Sequence, residues 1–140
     1  TYFERFPGIR DYMDRTKAFA KAHGRVETLF GRRIHTPEIN AKGPQAAFAA
    51  RAAINAPIQG SAADIIRRAM IRVPKVIADL PAKMLLQVHD ELLFEVEESA
   101  ADEVIARVRT VMEGAALPVV ELSVPLDVEG GKGPNWTAAH

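Results

Sequence analysis

The sequence predicts an α+β fold in which an antiparallel sheet packs against helices. Two apolar runs, residues 83–88 and 92–96, are too short for helices and flank a polar tip, so they indicate a hairpin. Residues 120–128 alternate between apolar and polar side chains, which predicts a C-terminal strand in the same sheet. Apolar residues at helical spacing before and after the hairpin supply the helices that cover it.

Composition describes a globular chain with an unequal distribution of charge. The 140 residues are 48% hydrophobic and include no cysteine, which excludes disulfide bonds and thiolate zinc sites. No segment approaches the ~20 apolar residues of a membrane span, and no signal peptide is visible. Residues 1–75 carry 14 Lys/Arg and 6 Asp/Glu, whereas residues 76–140 carry 4 and 12. This division indicates either a phosphate-facing half beside a metal-holding or solvated half, or two solvated faces of opposite sign.

The first third of the chain predicts a helix followed by a short hairpin. A 3.6-residue apolar stripe begins after Pro7, and Gly24 is well placed to end the helix. Residues 26–37 are typical of two short strands with a turn near Gly31. The Arg32-Arg33 pair after this turn either contacts a nucleic-acid backbone or only keeps the hairpin soluble.

The middle third predicts two helices separated by a proline. Residues 40–54 are rich in alanine, which favours a helix. They begin as a loop and become a helix that continues through Ile54. Pro57 removes a backbone donor and disfavours α geometry at the residue before it, so we expect an interruption there. Ser61 predicts the N-cap of a second helix. The buried stripe of that helix is Ile65, Ile66, Ala69, Met70, Val73, Val76 and Ile77.

The last third predicts a helix, the C-terminal strand and a loop. Ser99 is expected to cap a helix that Gly114 ends. Pro125 lies within the predicted strand and indicates a sheet edge or a bulge. The glycine-rich loop 130–135 lacks the strand-then-helix context of a phosphate-binding loop, so we do not expect it to bind phosphate.

The tip of the central hairpin is acidic where a tight turn prefers glycine or asparagine. The link between the strands has room for only about two residues. Its tip carries His89, Asp90 and Glu91. Adjacent carboxylates repel, and a divalent cation would take up their charge. Magnesium fits because it binds one or two protein carboxylates together with water and substrate phosphates. The alternative is a solvated turn, since hairpin tips are usually exposed.

A second polar group lies in the middle of the chain. Arg51 and Asn55 are four residues apart, so a helix would place them on one face, and Gln59 follows the expected break. Such donors suit the minor groove of a duplex, where the acceptors are nearly independent of sequence. The alternative is that Asn55 and Gln59 only bind backbone groups freed around Pro57.

Two stretches carry a resemblance to a known family. Residues 87–96, Gln-Val-His-Asp-Glu-Leu-Leu-Phe-Glu-Val, resemble the carboxylate motif of family A DNA polymerases of the bacterial DNA polymerase I type. Residues 51–60, Arg-Ala-Ala-Ile-Asn-Ala-Pro-Ile-Gln-Gly, resemble the segment that precedes the palm helix of that family. The similarity extends over nearly the whole chain. It implies the C-terminal part of a polymerase domain, with residues 1–50 from the fingers and residues 51–140 from the palm.

The resemblance implies template-directed nucleotidyl transfer in DNA replication and repair, in the bacterial cytoplasm at the nucleoid. A primer 3′ hydroxyl attacks the α-phosphate of a dNTP, and two Mg²⁺ ions assist the attack and the departure of pyrophosphate. Asp90 and Glu91 are the implied catalytic, metal-binding pair, with Asp90 as the ligand and Glu91 in an auxiliary acidic role. The residues implied to contact primer–template DNA are Arg51, Asn55 and Gln59 in the minor groove and His89 near the primer terminus.

The chain also departs from the family pattern. The upstream motif of the Asp-Tyr-Ser type, which bears the other catalytic aspartate, has no counterpart here, and neither has the nucleotide-binding helix. We therefore expect a piece of a longer protein that is inactive by itself. The upstream motif lies on a palm strand in the family, and without that strand the sheet edge beside the central hairpin should have no partner. Self-association of the chain through that edge is a further hypothesis.

Two other functions stay open from the residues alone. The first is a non-catalytic nucleic-acid-binding or interaction domain in which the acidic tip is merely solvated. The second is a magnesium-dependent phosphohydrolase, which would require further carboxylates near Asp90 that the sequence does not obviously supply. An aspartate-bearing strand encoded upstream of Thr1 would favour the polymerase.

Overall fold

The computed structural model describes all 140 residues and contains five α-helices, one 3₁₀ turn and two antiparallel hairpins. The elements are, in chain order, α1 (Tyr2–Arg5), α2 (Pro7–His23), β1 (Arg25–Glu27), β2 (Arg33–His35), α3 (Pro44–Val76), β3 (Ala82–Val88), β4 (Glu91–Val96), the 3₁₀ turn (Glu98–Ala100), α4 (Ala101–Glu113) and α5 (Trp136–Ala139). None of the helices combines the length and the apolar character needed to cross a membrane. The predicted α+β class with antiparallel hairpins is confirmed.

The chain divides into two compact units, Thr1–Ser61 and Ala62–His140, with the boundary inside α3. The first unit has the predicted helix and hairpin. Helix α2 ends at Gly24, whose φ of 68° is a left-handed conformation that glycine adopts without strain, and its N–H donates to the carbonyl of Ala20. A small core then forms beneath the β1–β2 hairpin, and its buried members are Ala20, Val26, Ile39, Ala49 and Ala53.

Helix α3 is continuous through Pro57, so the predicted interruption is wrong. A proline inside a helix leaves the carbonyl four residues earlier without its donor, which costs about 3 kcal/mol. Tertiary contacts offset that cost in the first unit. Ala53 is fully buried in the core, and the neighbouring carbonyl of Ile54 accepts a hydrogen bond from the Tyr12 hydroxyl at 2.7 Å. Packing and a non-local donor thus override the local preference.

Ser61 is not an N-cap, because it lies well inside α3. Its side chain is nearly buried, and its hydroxyl oxygen accepts the backbone N–H of Leu29 at 2.9 Å. A serine hydroxyl suits a helix start only where the backbone donors of that first turn are free. Here those donors are satisfied by the preceding turn of the same helix, so the hydroxyl binds the β1–β2 loop instead.

The second unit has its core between α3, α4 and the β3–β4 hairpin. The buried members are Val73, Ile77, Val104 and Val108. The hairpin adds partly buried apolar side chains from one face of each strand, namely Ala82, Met84, Phe94 and Val96. The strands are antiparallel, with Met84 opposite Phe94, and an irregularity in register lies between Met84 and Leu86. The central hairpin is therefore as predicted. Of the predicted stripe of α3, Ala69, Val73 and Ile77 are buried, and the other members are only partly buried, namely Ile65, Ile66, Met70 and Val76.

The end of α3 is held by a side chain from α4. Arg107 donates to the carbonyl of Val76, the last residue of α3, at 2.9 Å and to the Asp79 carboxylate at 2.7 Å. Carbonyls at the C-terminus of a helix have no intrahelical partner, so this arginine satisfies one of them. The hydrogen bond from Arg107 also lowers the pKa of Asp79 below its ordinary value.

The start of α4 differs from the prediction in its cap. Ser99 lies inside the 3₁₀ turn, and α4 begins at Ala101 after Ala100, with no side-chain cap. The tight turn satisfies the first donors by backbone contacts, including the Ala100 N–H to the Glu97 carbonyl at 2.9 Å. Gly114 follows the last residue of α4, as predicted.

The predicted strand at residues 120–128 does not form. Strands β3 and β4 pair only with each other, so no edge in this chain receives a third strand. Alternation shows which side chains would face a core, but a strand also requires a partner for its backbone, and Pro125 lacks the N–H for such a ladder. Both outer edges of the hairpin thus have no strand partner, and self-association through them stays a prediction that sedimentation tests.

Candidate active site and nucleic-acid interface

The acidic tip is the two-residue link of the β3–β4 hairpin. Val88 pairs with Glu91, so His89 and Asp90 form the link and Glu91 is the first residue of β4. His89 has a φ of 55°, and it is the one non-glycine residue of the chain in the left-handed region. This conformation is uncommon outside glycine and costs about 1–3 kcal/mol. A two-residue hairpin link commonly needs a positive φ, so the turn itself accounts for this conformation of His89.

The side chains of the tip are open to solvent. His89, Asp90 and Glu91 are all exposed, so no other part of their unit seals them off. The Asp90 carboxylate takes part in none of the ion pairs of the chain, whereas the Glu91 carboxylate lies 3.4 Å from His140 Nε2. The Gln87 side-chain amide donates to the His89 carbonyl at 2.8 Å and braces the link. Asp90 is therefore the carboxylate available to an external cation.

The donor set suits part of a magnesium site. Magnesium takes hard oxygen ligands and commonly uses one or two carboxylates, with water and phosphate oxygens completing an octahedron. Asp90 and Glu91 are carboxylates at adjacent positions of the chain, and of the two only Asp90 has no ion-pair partner. The chain contains no group of three or more His, Asp or Glu side chains placed to hold a metal. The remaining ligands would have to come from solvent, from substrate phosphates or from another polypeptide segment.

The second candidate group lies on α3 in the first unit. Arg51, Asn55 and Gln59 are spaced four residues apart on a continuous helix, and all three are exposed. Four residues advance about 40° beyond one full turn, so the three side chains form a single row. The sequence placed Gln59 after a helix break, and that placement is wrong. Because the helix is unbroken, its regular geometry fixes the spacing of all three side chains, and the three residues form a better-defined group than the sequence indicated.

The glycine-rich loop before α5 has a packing explanation. A Cβ added to Gly133 would lie 2.7 Å from the backbone carbon of Ala138, and one added to Gly131 would clash with the Ala139 carbonyl. The loop therefore contacts the backbone of α5 directly. Lys132 in the same loop pairs with Asp102 at 2.7 Å. These contacts hold α5 against the loop, and His140 follows α5 directly.

Three features of the sites were missed at the sequence level. They are the left-handed backbone of His89, the contact of His140 with Glu91, and the hydrogen bond from Tyr12 to the Ile54 carbonyl. The last two join residues far apart in sequence, and no periodicity signals them. The left-handed backbone of His89 has one local signal, which is the two-residue link that contains His89 and Asp90. Such links favour residues with positive φ.

The whole chain matches a known family of enzymes. It belongs to DNA polymerase family A, whose family model matches residues 1–138. It is similar to DNA polymerase I of Rhizobium leguminosarum, with 54% identity over 144 residues that cover 99% of this chain and 14% of that protein. DNA polymerase I of Deinococcus radiodurans is 47% identical over 136 residues, which cover 96% of this chain and 14% of that protein.

A solved structure gives the same result for the fold. The polymerase (POL) domain of Pol1 from M. smegmatis, in complex with DNA primer-template and dNTP, matches with a TM-score of 0.89 and 49% identity. The match covers 99% of this chain and 24% of that chain. The 140 residues thus correspond to part of a polymerase domain, and they span about one seventh of the DNA polymerase I sequences named above.

Proposed function

We propose that this chain is part of a DNA-directed DNA polymerase and contributes an acidic hairpin and a DNA-contacting helix to it. The observation that carries the proposal is the exposed His89-Asp90-Glu91 tip, in a fold shared with a polymerase domain that binds primer-template and dNTP. Residues 1–50 would belong to the fingers and residues 51–140 to the palm. The substrates would be a dNTP and a primer–template duplex, used in replication and repair at the bacterial nucleoid.

The proposed reaction is transfer of a nucleotidyl group to a primer 3′ hydroxyl, with release of pyrophosphate. The chemistry that magnesium supplies at such a site is activation of the attacking oxygen and stabilisation of the leaving one. Asp90 would hold the metal, because its carboxylate is exposed and has no ion-pair partner in the chain. Glu91 would have an auxiliary part, since its carboxylate is shared with His140.

The proposed DNA contacts come from the two exposed groups. Arg51, Asn55 and Gln59 present hydrogen-bond donors from one row of α3, and minor-groove acceptors are nearly the same at every base pair. A duplex can thus be checked for shape without being read for sequence. The net positive charge of residues 1–75 suits a phosphate-rich partner. His89, at the same tip as Asp90, would lie near the primer terminus.

A chimera tests this function. In the polymerase chimera, residues 1–140 replace the matching segment of DNA polymerase I from Rhizobium leguminosarum. We expect the chimera to extend a primer in the presence of Mg²⁺ and dNTP, whereas the same relative lacking the segment does not. A folded chimera that binds primer–template but incorporates no nucleotide would contradict the proposal and favour a non-catalytic nucleic-acid-binding domain.

Gln59→Ala should weaken primer–template use in the polymerase chimera. Loss of one hydrogen bond to the groove should raise the KM for primer–template about tenfold and leave the KM for dNTP unchanged. The measurement is steady-state extension at varied duplex concentration. Gln45→Ala is the matched control, because Gln45 is also exposed on α3 but lies outside the row. Equal KM values for the two variants would show that Gln59 does not contact the duplex.

A further inference from the structure

The part of α3 around Pro57 is held at both ends by contacts from other elements of the first unit. We propose that Tyr12 and Ser61 are positioning residues, which fix the backbone that presents Asn55 and Gln59 to duplex DNA. This inference rests on the proposed function, because it concerns the DNA-contacting row of α3. It adds two residues that would not themselves touch DNA.

The first contact lies one residue after the carbonyl that Pro57 leaves without a donor. Pro57 has no N–H, so the carbonyl of Ala53 has no donor four residues later, and the hydrogen-bond ladder of the helix is weakened at this turn. The next carbonyl, of Ile54, receives the half-buried Tyr12 hydroxyl of α2 at 2.7 Å. Ile54 directly precedes Asn55. The hydroxyl therefore holds the helix one residue away from the carbonyl that lacks its helical donor, and next to a proposed DNA contact.

The second contact joins the β1–β2 loop to the C-terminal end of the segment around Pro57. The Ser61 hydroxyl accepts the Leu29 N–H at 2.9 Å, and the Arg32 guanidinium donates to the Gly60 carbonyl at 3.3 Å. The approach is so close that a Cβ at Gly60 would lie 2.8 Å from Thr28 Cγ2. Gly60 and Ser61 directly follow Gln59. The loop therefore fixes the backbone beside the last donor of the row.

These two contacts matter because groove recognition depends on accurate placement. A side chain that donates to a fixed acceptor must be held within about 0.5 Å and 10–20° of its productive position. A helix weakened by proline does not provide this alone. The Tyr12 contact lies before Asn55 and the Ser61 contact lies after Gln59, so the two contacts bracket the segment that contains Pro57.

The test is a double-mutant cycle in the polymerase chimera. Tyr12→Phe and Ser61→Ala should each raise the KM for primer–template about threefold to tenfold, with kcat changed by less than about twofold. Adding Tyr12→Phe to Asn55→Ala, or Ser61→Ala to Gln59→Ala, should have little further effect on KM, because the placement of an absent side chain no longer matters. Ser61→Thr keeps the acceptor oxygen and should restore the KM.

Matched controls and outcomes separate the possibilities. Tyr2→Phe removes an exposed hydroxyl that accepts and donates no hydrogen bond in the structure, and Ser99→Ala changes an exposed serine; neither should alter KM. If the effect of Tyr12→Phe is fully additive with that of Asn55→Ala, or no larger than that of Tyr2→Phe, the positioning role is wrong while the proposed groove contacts stand. If Gln59→Ala leaves KM unchanged, the proposed groove contact is wrong and the positioning role falls with it.

Discussion

Asp90→Ala in the polymerase chimera should lower the single-turnover rate of primer extension by about 10³-fold or more. Asp90 is the exposed carboxylate of the hairpin tip that has no ion-pair partner, so it is the group free to hold a metal ion. Removing a metal ligand raises the barrier of the chemical step by several kcal/mol, because charge on the transferring phosphate is no longer balanced. The measurement is single-turnover extension at saturating dNTP and Mg²⁺.

Primer–template binding should survive the same substitution. The side chain is exposed and makes no contact that holds the hairpin, so the fold and the row on α3 are unaffected. Asp127→Ala is the matched control, since Asp127 is also exposed in the second unit but lies far from the tip in sequence. An Asp90→Ala chimera that retains more than about a tenth of the extension rate would exclude Asp90 as a metal ligand.

The central hairpin could be predicted because its determinants are local. Two apolar runs separated by only three residues leave little choice of pairing, and the register observed, with Val88 opposite Glu91, follows from the short link. The acidic tip could be recognised for the same reason. The left-handed backbone of His89 could not be specified, because a two-residue link permits more than one turn type.

The continuity of α3 could not be predicted, because it depends on residues far away in the sequence. Local propensity at Pro57 favours a break, and the contacts that oppose the break come from Tyr12 and from the core around Ala53. The strand expected at residues 120–128 failed for a related reason. Its alternation is a local property, whereas a strand also needs a partner for its backbone, and Pro125 lacks the N–H that such a ladder would use.

Both outcomes bear on the candidate sites in different ways. Because α3 is unbroken, Arg51, Asn55 and Gln59 lie in one row on the helix. This candidate site is therefore more regular than the sequence indicated. The missing third strand leaves the acidic hairpin attached to its unit through one face only. The core beneath that face, around Val73, is then what fixes the position of the tip.

Val73→Asp should therefore unfold or strongly destabilise the second unit. Val73 is fully buried in α3, in the cluster that the hairpin residues Met84 and Phe94 cover. A carboxylate placed there has no partner and loses its hydration, which should cost about 3–5 kcal/mol, a large part of the stability of a small domain. Chemical denaturation of the 140-residue chain, followed by circular dichroism, measures this as a lower midpoint.

The same helix provides the control for this substitution. Ile71 is two residues away in α3 but 67% exposed, so Ile71→Asp adds the same charge and loses a similar helix propensity without burying a carboxylate. Its effect should stay within about 0.5 kcal/mol. In the polymerase chimera, Val73→Asp should also abolish extension although Asp90 is intact, because the hairpin tip is no longer held. Equal denaturation midpoints for the two variants would mean that this core does not support the hairpin.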